Sequence, residues 1–141
     1  MKKEYSLKTT IIFDTETTGL IKSSAVDISD QPYITEIFCL KVNESDGKII
    51  IVDEFESRIK VPIPITSEIT KITGITSADL ADCPTFGELF SDLAEFFLGS
   101  DKMVAHNLPF DRSMVANELV RSGNLLKFPW PPKHICTVEK S

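Results

Sequence analysis

The sequence predicts a single α/β domain, because short apolar, β-branched runs alternate with segments of helical periodicity along its 141 residues. A hydrophobic fraction of 42% supports one real core, and the length is too small for two domains of ordinary size. No apolar run approaches the roughly 18 residues needed to span a bilayer. We therefore expect a cytoplasmic protein without contact to a membrane.

The net charge of −6 argues against a protein that coats nucleic acid through a broad basic face. The charge does not exclude an enzyme that binds the end of a nucleic-acid strand through bound cations, because their positive charge is not included in the net charge of the sequence. Cys39, Cys83 and Cys136 are widely separated and form no CxxC pair, so neither a disulfide framework nor a zinc site is indicated. We expect three reduced thiols.

Three strands are predicted in the first half of the chain. Residues 10–13 are a short run of β-branched and aromatic residues, typical of a central strand. Residues 33–42 and 48–61 have strand composition, and the turn-rich residues 43–47 between them indicate an antiparallel hairpin. Pro62 and Pro64 are expected to end the third strand.

The second half alternates helices with two more strands. A short helix is predicted between Thr66 and Gly74, and Thr85 with Glu88 forms a capping box at the start of a longer one. Gly99 is expected to end that helix. Its apolar residues recur at spacings of three and four and form one stripe: Phe86, Leu89, Phe90, Leu93, Ala94 and Phe97. Residues 103–105 and 134–136 read as strands, residues 109–121 as a helix, and residues 137–141 as the first turn of another helix.

Asp14 and Glu16 follow the first apolar run, two residues apart. In a strand this spacing directs both side chains to one face, where two carboxylates repel unless they share a proton or bind a metal ion. A D-x-E triplet alone also arises by chance, and two solvated acids in a turn would look the same. The flexible Thr17-Thr18-Gly19 segment that follows could approach a ligand closely.

Asp111 is the third informative acid. If Asn107 caps the helix and Pro109 occupies its first turn, Asp111 lies on one face with Leu108 and Val115. A carboxylate on an apolar stripe costs free energy unless it finds a partner. The helix N-terminus could be that partner, or Asp111 could complete a metal site with Asp14 and Glu16.

Two segments resemble a known family. Residues 13–20 (FDTETTGL) and residues 104–111 (VAHNLPFD) are similar to the first and second motifs of the DEDD 3'-to-5' exonucleases, in particular the DEDDh-type proofreading epsilon subunits of bacterial DNA polymerase III. Shorter similarities at residues 72–75, 84–86 and 135–137 extend the resemblance nearly from end to end. The resemblance implies a ribonuclease H-like fold, an α/β architecture with a five-stranded mixed sheet flanked by helices.

The resemblance also implies a function. Asp14, Glu16 and Asp111 would be the catalytic residues and hold two Mg²⁺ or Mn²⁺ ions, which activate a water and stabilise the leaving oxygen. The substrate would be the 3' end of single-stranded nucleic acid, with DNA expected, and a DNA polymerase subunit would be a further partner. The implied substrate-binding residues are Thr17, Thr18, Leu20, Ile72, Asn107 and Phe110. For Leu20 and Phe110, packing in the core is the alternative.

The third motif of the family is not found. It requires a histidine five residues, or a tyrosine four residues, before an aspartate, and no aspartate follows Asp111. We expect His134 to be a strand residue and His106 to shape the pocket rather than act as general base. Residues 1–141 are therefore interpreted as one exonuclease domain truncated before its third motif, with its last helices missing, so that activity of this chain alone stays open. The alternatives are a haloacid dehalogenase-type phosphatase and a non-catalytic module of the same fold that binds nucleic acid or a polymerase.

Overall fold

A five-stranded mixed sheet forms the centre of the computed structural model, which describes residues 8–22 and 27–137. In chain order the strands are β1 (Lys8–Thr17), β2 (Ile34–Ser45), β3 (Lys48–Arg58), β4 (Lys102–Ala105) and β5 (Lys133–Cys136). Their order across the sheet is β3-β2-β1-β4-β5. The first three strands are antiparallel, and β4 and β5 run parallel to β1. The predicted sheet is confirmed.

The helices are α1 (Ser67–Thr73), α2 (Ser77–Leu80), α3 (Phe86–Phe97) and α4 (Leu108–Ser122), with 3-10 turns at Ile28–Asp30 and Leu125–Lys127. Gly74 ends α1 with φ at 77°, a left-handed conformation that favours glycine. The capping box of α3 is present, since the Glu88 N–H donates to the Thr85 hydroxyl and the Thr85 N–H donates to the Glu88 carboxylate. No helix among the described residues is long and apolar enough to cross a membrane.

The apolar stripe of α3 packs on one face of the sheet as predicted. Phe97 is buried and its ring meets that of Phe13 edge-on, with centroids 6.0 Å apart. All six predicted stripe residues belong to the core or pack against it. Phe96, outside the predicted stripe, is also buried and packs on Phe55 of β3.

Several boundaries differ from the prediction. β1 continues past residue 13 to Thr17, because its pairing with β2 continues there, and the two acids therefore lie within the strand. β3 ends at Arg58 rather than at residue 61, since the Lys60 N–H already donates to the Pro84 carbonyl and the chain leaves the sheet. The four-residue helix α2 was not predicted. The expected helical turn at residues 137–141 lies, apart from Thr137, outside the described residues.

Other expectations are met. β2 and β3 form the predicted antiparallel hairpin, whose turn places Asp46 at φ 53° and Gly47 at φ 77°. All three cysteines are free thiols, with Cys39 and Cys136 buried.

Candidate functional site

The end of β1 alternates strictly between the two faces of the sheet. Phe13 and Thr15 are buried on the face covered by α3 and α4, whereas Asp14 and Glu16 are exposed. The two acids therefore share one face, as the two-residue period of a strand requires. The residue between them points the other way, into the protein.

Thr15 links β1 to the start of α4. Its hydroxyl donates a hydrogen bond of 2.6 Å to a carboxylate oxygen of Asp111. Asp111 is only 4% exposed, and its N–H donates to the Asn107 carbonyl within the first turn of α4. The helix N-terminus alone therefore does not account for Asp111, because a side chain 96 residues away provides a buried partner. The sequence signal for this role was a polar residue on the core side of an otherwise apolar strand.

The charge of Asp14 acts on the other two carboxylates. Burial raises the pKa of Asp111, and the charge of Asp14 raises it further, while the Thr15 hydrogen bond acts in the opposite direction. Partial burial also raises the pKa of Glu16, with Asp14 and then Glu36 adding to the effect. Asp14 is thus close enough to act electrostatically on both neighbours.

These groups have the right donor chemistry for a hard divalent cation. Carboxylate oxygens are the ligands that Mg²⁺ and Mn²⁺ prefer, and a cation would offset the charge of Asp14, which adds to the effect of burial on the two pKa values. Within residues 8–22 and 27–137, however, no three or more His, Cys, Asp or Glu side chains are grouped closely enough to hold a metal ion. The three acids have the chemistry for such an ion, but the described structure does not group them closely enough to bind one.

Thr17 and Thr18 hold the segment after β1 in place. The Thr17 hydroxyl donates to the Gly19 carbonyl at 2.8 Å. Thr18 pairs with Tyr33 twice: the Thr18 N–H donates to the Tyr33 carbonyl, and the Thr18 hydroxyl accepts from the Tyr33 N–H, both at 2.9 Å. The backbone N–H of Thr18 is therefore already used within the protein.

The apolar candidates are placed differently from one another. Leu20 is 79% exposed and Ile72 is 84% exposed, so core packing as the alternative for Leu20 is wrong. Phe110 is half-buried and packs against the core. Leu20 and Ile72 are thus available to an apolar ligand surface, and Phe110 is so only in part.

Asn107 precedes α4 but its side chain makes no capping hydrogen bond, which corrects the predicted cap. Pro109 fills one of the first helical positions and has no N–H, so one of the usual capping donors is missing. The Asn107 side chain is exposed and does not cap α4.

The two histidines differ in their surroundings. His106 is exposed, and its Nδ1 lies 3.1 Å from the Thr137 hydroxyl. His134 lies in β5, as predicted, with its Nε2 2.9 Å from the Pro131 carbonyl.

Sequence reasoning missed a buried ion pair behind the site. Glu118 of α4 accepts from the Ile34 N–H at 2.8 Å and lies 3.4 Å from Nη1 of Arg121, whose guanidinium stacks 3.7 Å from the Tyr33 ring. Burial raises the pKa of Glu118 in spite of these partners. The pair ties α4 to the start of β2, where Ile34 pairs with Thr17. Glu118 and Arg121 line a cavity of about 580 Å³. The three carboxylates of the site are not among the residues that line this cavity.

Comparisons with known proteins identify the family of the chain. Residues 11–140 match the family model described as Exonuclease. The chain is 37% identical over 113 residues to the DNA polymerase III PolC-type protein of Caldanaerobacter subterraneus subsp. tengcongensis, covering 80% of this chain. That match spans 7% of the relative's length.

Two solved structures are similar as well. Exonuclease X, in complex with 5' overhanging duplex DNA, is 30% identical with a TM-score of 0.55, over 92% of this chain and 60% of that one. The nuclease domain of 3'hExo, a DEDDh family member bound to rAMP, has a TM-score of 0.70 at 17% identity, over 96% of this chain and 69% of that one. DEDDh exonucleases generally use divalent metal ions.

Proposed function

The chain belongs to the exonuclease family, and we propose that it removes nucleotides from the 3' end of single-stranded nucleic acid, with DNA as the expected substrate. The observation that carries the proposal is that Asp14 acts electrostatically on both Glu16 and Asp111. A phosphodiester is itself negative, so these acids can bind it only together with cations. The reaction we infer is therefore metal-dependent hydrolysis.

Asp14, Glu16 and Asp111 would hold the cations, proposed to be two Mg²⁺ or Mn²⁺ ions. When bound, these ions would supply an activated water and offset the charge that builds up on the phosphate. Thr15 fixes one carboxylate oxygen of Asp111 through its 2.6 Å hydrogen bond. This chain's own contribution is thus one buried carboxylate held by Thr15 and two exposed carboxylates on β1.

The terminal nucleotide would lie beside the same strand end. Leu20 and Ile72 offer exposed apolar surface to a base or sugar, and contacts of this kind tolerate any base. Phe110 adds a half-buried ring and Asn107 an exposed amide. Thr17 and Thr18 would act mainly by holding the segment that carries Leu20, since the Thr17 hydroxyl donates to the Gly19 carbonyl and the Thr18 hydroxyl accepts from the Tyr33 N–H.

A polymerase is the proposed partner. The chain spans about 7% of the length of its PolC-type relatives, which are DNA polymerase III proteins. We propose that it works beside a DNA polymerase in proofreading. A general base and a fourth carboxylate, which the third motif would supply, are proposed to lie outside these 141 residues. The cytoplasmic location stays a prediction.

The test separates cation binding from hydrolysis. For the 141-residue chain, Mn²⁺ binding is measured by calorimetry in the wild type, Asp14→Asn and Asp92→Asn, an exposed acid on α3 that serves as the matched control. Asp14→Asn is expected to weaken binding at least tenfold, because the acid that acts on both of the others is lost. The control variant should bind like the wild type.

Hydrolysis is followed with a 5'-labelled single strand and the full-length product of the gene. The expected result is a ladder of products shortened from the 3' end, dependent on Mg²⁺ or Mn²⁺ and abolished by Asp14→Asn. An inactive full-length protein whose Mn²⁺ binding is the same in wild type and Asp14→Asn would refute the exonuclease proposal. Tight binding of single strands without any hydrolysis would favour the non-catalytic module.

A further inference from the structure

β3 is the outer strand of the sheet and exposes a continuous apolar row. Ile49, Ile50, Ile51 and Val52 are 67%, 59%, 60% and 46% exposed. β3 pairs only with β2 among the described strands, so its other edge offers unpaired backbone N–H and C=O groups. Proteins usually protect such edges with charges, prolines or bulges, and this row contains no charge and no proline. An exposed apolar edge of this length is suited to pairing with another strand.

A bulge determines which side chains share a face. Ile51 pairs with Val42 of β2 and Asp53 pairs with its neighbour Lys41, so Val52 is an extra residue in β3. Lys48 pairs with Ser45. Because Lys41 and Ser45 are four residues apart on a regular strand, Lys48 and Asp53 lie on the same face of the sheet. The bulge thereby brings opposite charges to the two ends of the apolar row on one side.

We propose that β3 is a dimerisation edge, which pairs antiparallel with β3 of a second copy of this chain. In the proposed register Ile50 lies opposite Ile50 of the second copy, and Ile49 lies opposite Ile51. Lys48 then lies opposite Asp53 at both ends of the interface, with Val52 bulged in each strand. Joining the two edges produces one continuous ten-stranded sheet.

Charge complementarity selects a second copy as the occupant. A two-fold axis between two antiparallel copies of β3 makes the pairing reciprocal: if one residue lies opposite a second residue of the other copy, the second also lies opposite the first. The row must therefore be complementary to itself. Moving the centre to Ile51 sets Ile50 against Asp53, and moving it to Ile49 sets Lys48 against Ile50. Only the register centred on Ile50 pairs apolar with apolar residues and Lys48 with Asp53. One Asp53 oxygen accepts from the Glu54 N–H, which leaves the other for Lys48.

The dimer should depend on concentration. A pairing of six residues a side is smaller than a standard interface of about 1,600 Å². Sedimentation velocity over a hundredfold range of concentration of the 141-residue chain is expected to show a reversible monomer–dimer equilibrium. Ile50→Lys, which sets two lysines against each other at the centre, should raise the dissociation constant at least tenfold. Leu126→Lys, at an apolar side chain 98% exposed outside the sheet, is the matched control and should leave the constant unchanged.

A charge exchange tests the register itself. Asp53→Lys sets like charges against each other at both ends and should raise the dissociation constant about tenfold. Adding Lys48→Asp restores the opposite-charge pairs and should return it to within about twofold of the wild type. A monomer at every concentration, larger aggregates without a discrete dimer, or a dimer indifferent to Ile50→Lys would overturn the proposal. Failure of the double exchange to recover dimerisation would overturn the register and with it the argument for a second copy.

Discussion

Replacement of Thr15 by valine removes the hydroxyl that bonds to Asp111 and keeps the shape of the side chain. Both residues are buried, at 9% and 4% exposure, and the bond between them is 2.6 Å long. Water cannot readily replace the lost donor at such a site. The variant therefore leaves a buried carboxylate without its hydroxyl partner.

The expected loss of stability follows from the kind of bond. A hydrogen bond to a charged group contributes about 1.5 to 3 kcal/mol, and leaving the charged partner unsatisfied keeps the loss in that range. We expect Thr15→Val to lower the free energy of unfolding by about 2 kcal/mol at pH 7. At this chain length each kcal/mol shifts Tm by about 3 °C, so the drop should be about 6 °C.

The loss should grow with pH. Because burial raises the pKa of Asp111, the stability linked to this group is full below its ordinary pKa and is lost as pH rises through the folded value. Thr15 favours the charged form, so its removal raises that pKa further and increases the loss at pH 7 relative to pH 4. Thr35→Val is the control, since the buried Thr35 hydroxyl donates to the neutral Glu16 carbonyl and its loss of about 1 kcal/mol should not vary with pH.

The assay is urea denaturation at pH 4 and pH 7, with Thr15→Val also made in an Asp111→Asn background. There the acceptor is neutral, and the loss should fall to about 1 kcal/mol. A loss below about 0.5 kcal/mol at pH 7, or the same loss in both backgrounds, would refute the view that Thr15 stabilises a buried charge.

Three further predictions concern the same framework. The Glu118→Gln variant should gain stability relative to the wild type as pH rises from about 4 to 7, because the raised pKa of Glu118 makes its ionisation unfavourable in the folded protein. Denaturation at the two pH values measures the difference in free energy of unfolding between variant and wild type. A difference that does not change with pH would contradict the prediction. Asp14→Asn should lower the pKa of both Glu16 and Asp111, since it removes a charge that raises both, and carboxyl NMR titrations that leave either pKa unchanged contradict this. The Gly74→Ala variant should lose about 1 kcal/mol of folding stability, because Gly74 has a φ of 77°. The Gly87→Ala variant should gain up to about 1 kcal/mol, because alanine favours a helix and the nearest atom to the new methyl group is 3.8 Å away. Equal shifts in Tm for the two variants would contradict this.

Local patterns predicted much of the fold. The apolar spacing of α3 and its capping box located that helix to within its first turn, because both signals lie within a few residues of sequence. α2 was missed because four residues are too few for periodicity, although Thr76 and Asp79 form a capping box of their own. The end of β1 was predicted too early. Its last residues are held in the strand by pairing with β2, and their polar side chains give no apolar pattern from which a strand could be predicted.

The site was predictable in its acids and less so in their partners. The two-residue spacing of Asp14 and Glu16 is a local property of a strand, and their common exposure follows from it. The bond between Thr15 and Asp111 joins residues 96 apart. The contact between Glu118 and Ile34 spans 84 residues. Neither can be read from spacing along the chain, because each depends on where α4 crosses the sheet.

The position of Thr15 connects the core to the acidic cluster. Because side chains alternate along β1, the strand can display Asp14 and Glu16 to solvent only if Thr15 faces inward. An apolar residue there would pack well but would leave the buried Asp111 without the hydroxyl donor. A hydroxyl satisfies both requirements, since it fits the core in size and holds the carboxylate that α4 brings to the strand. The D-T-E sequence therefore specifies the third acid's position as well as supplying the first two.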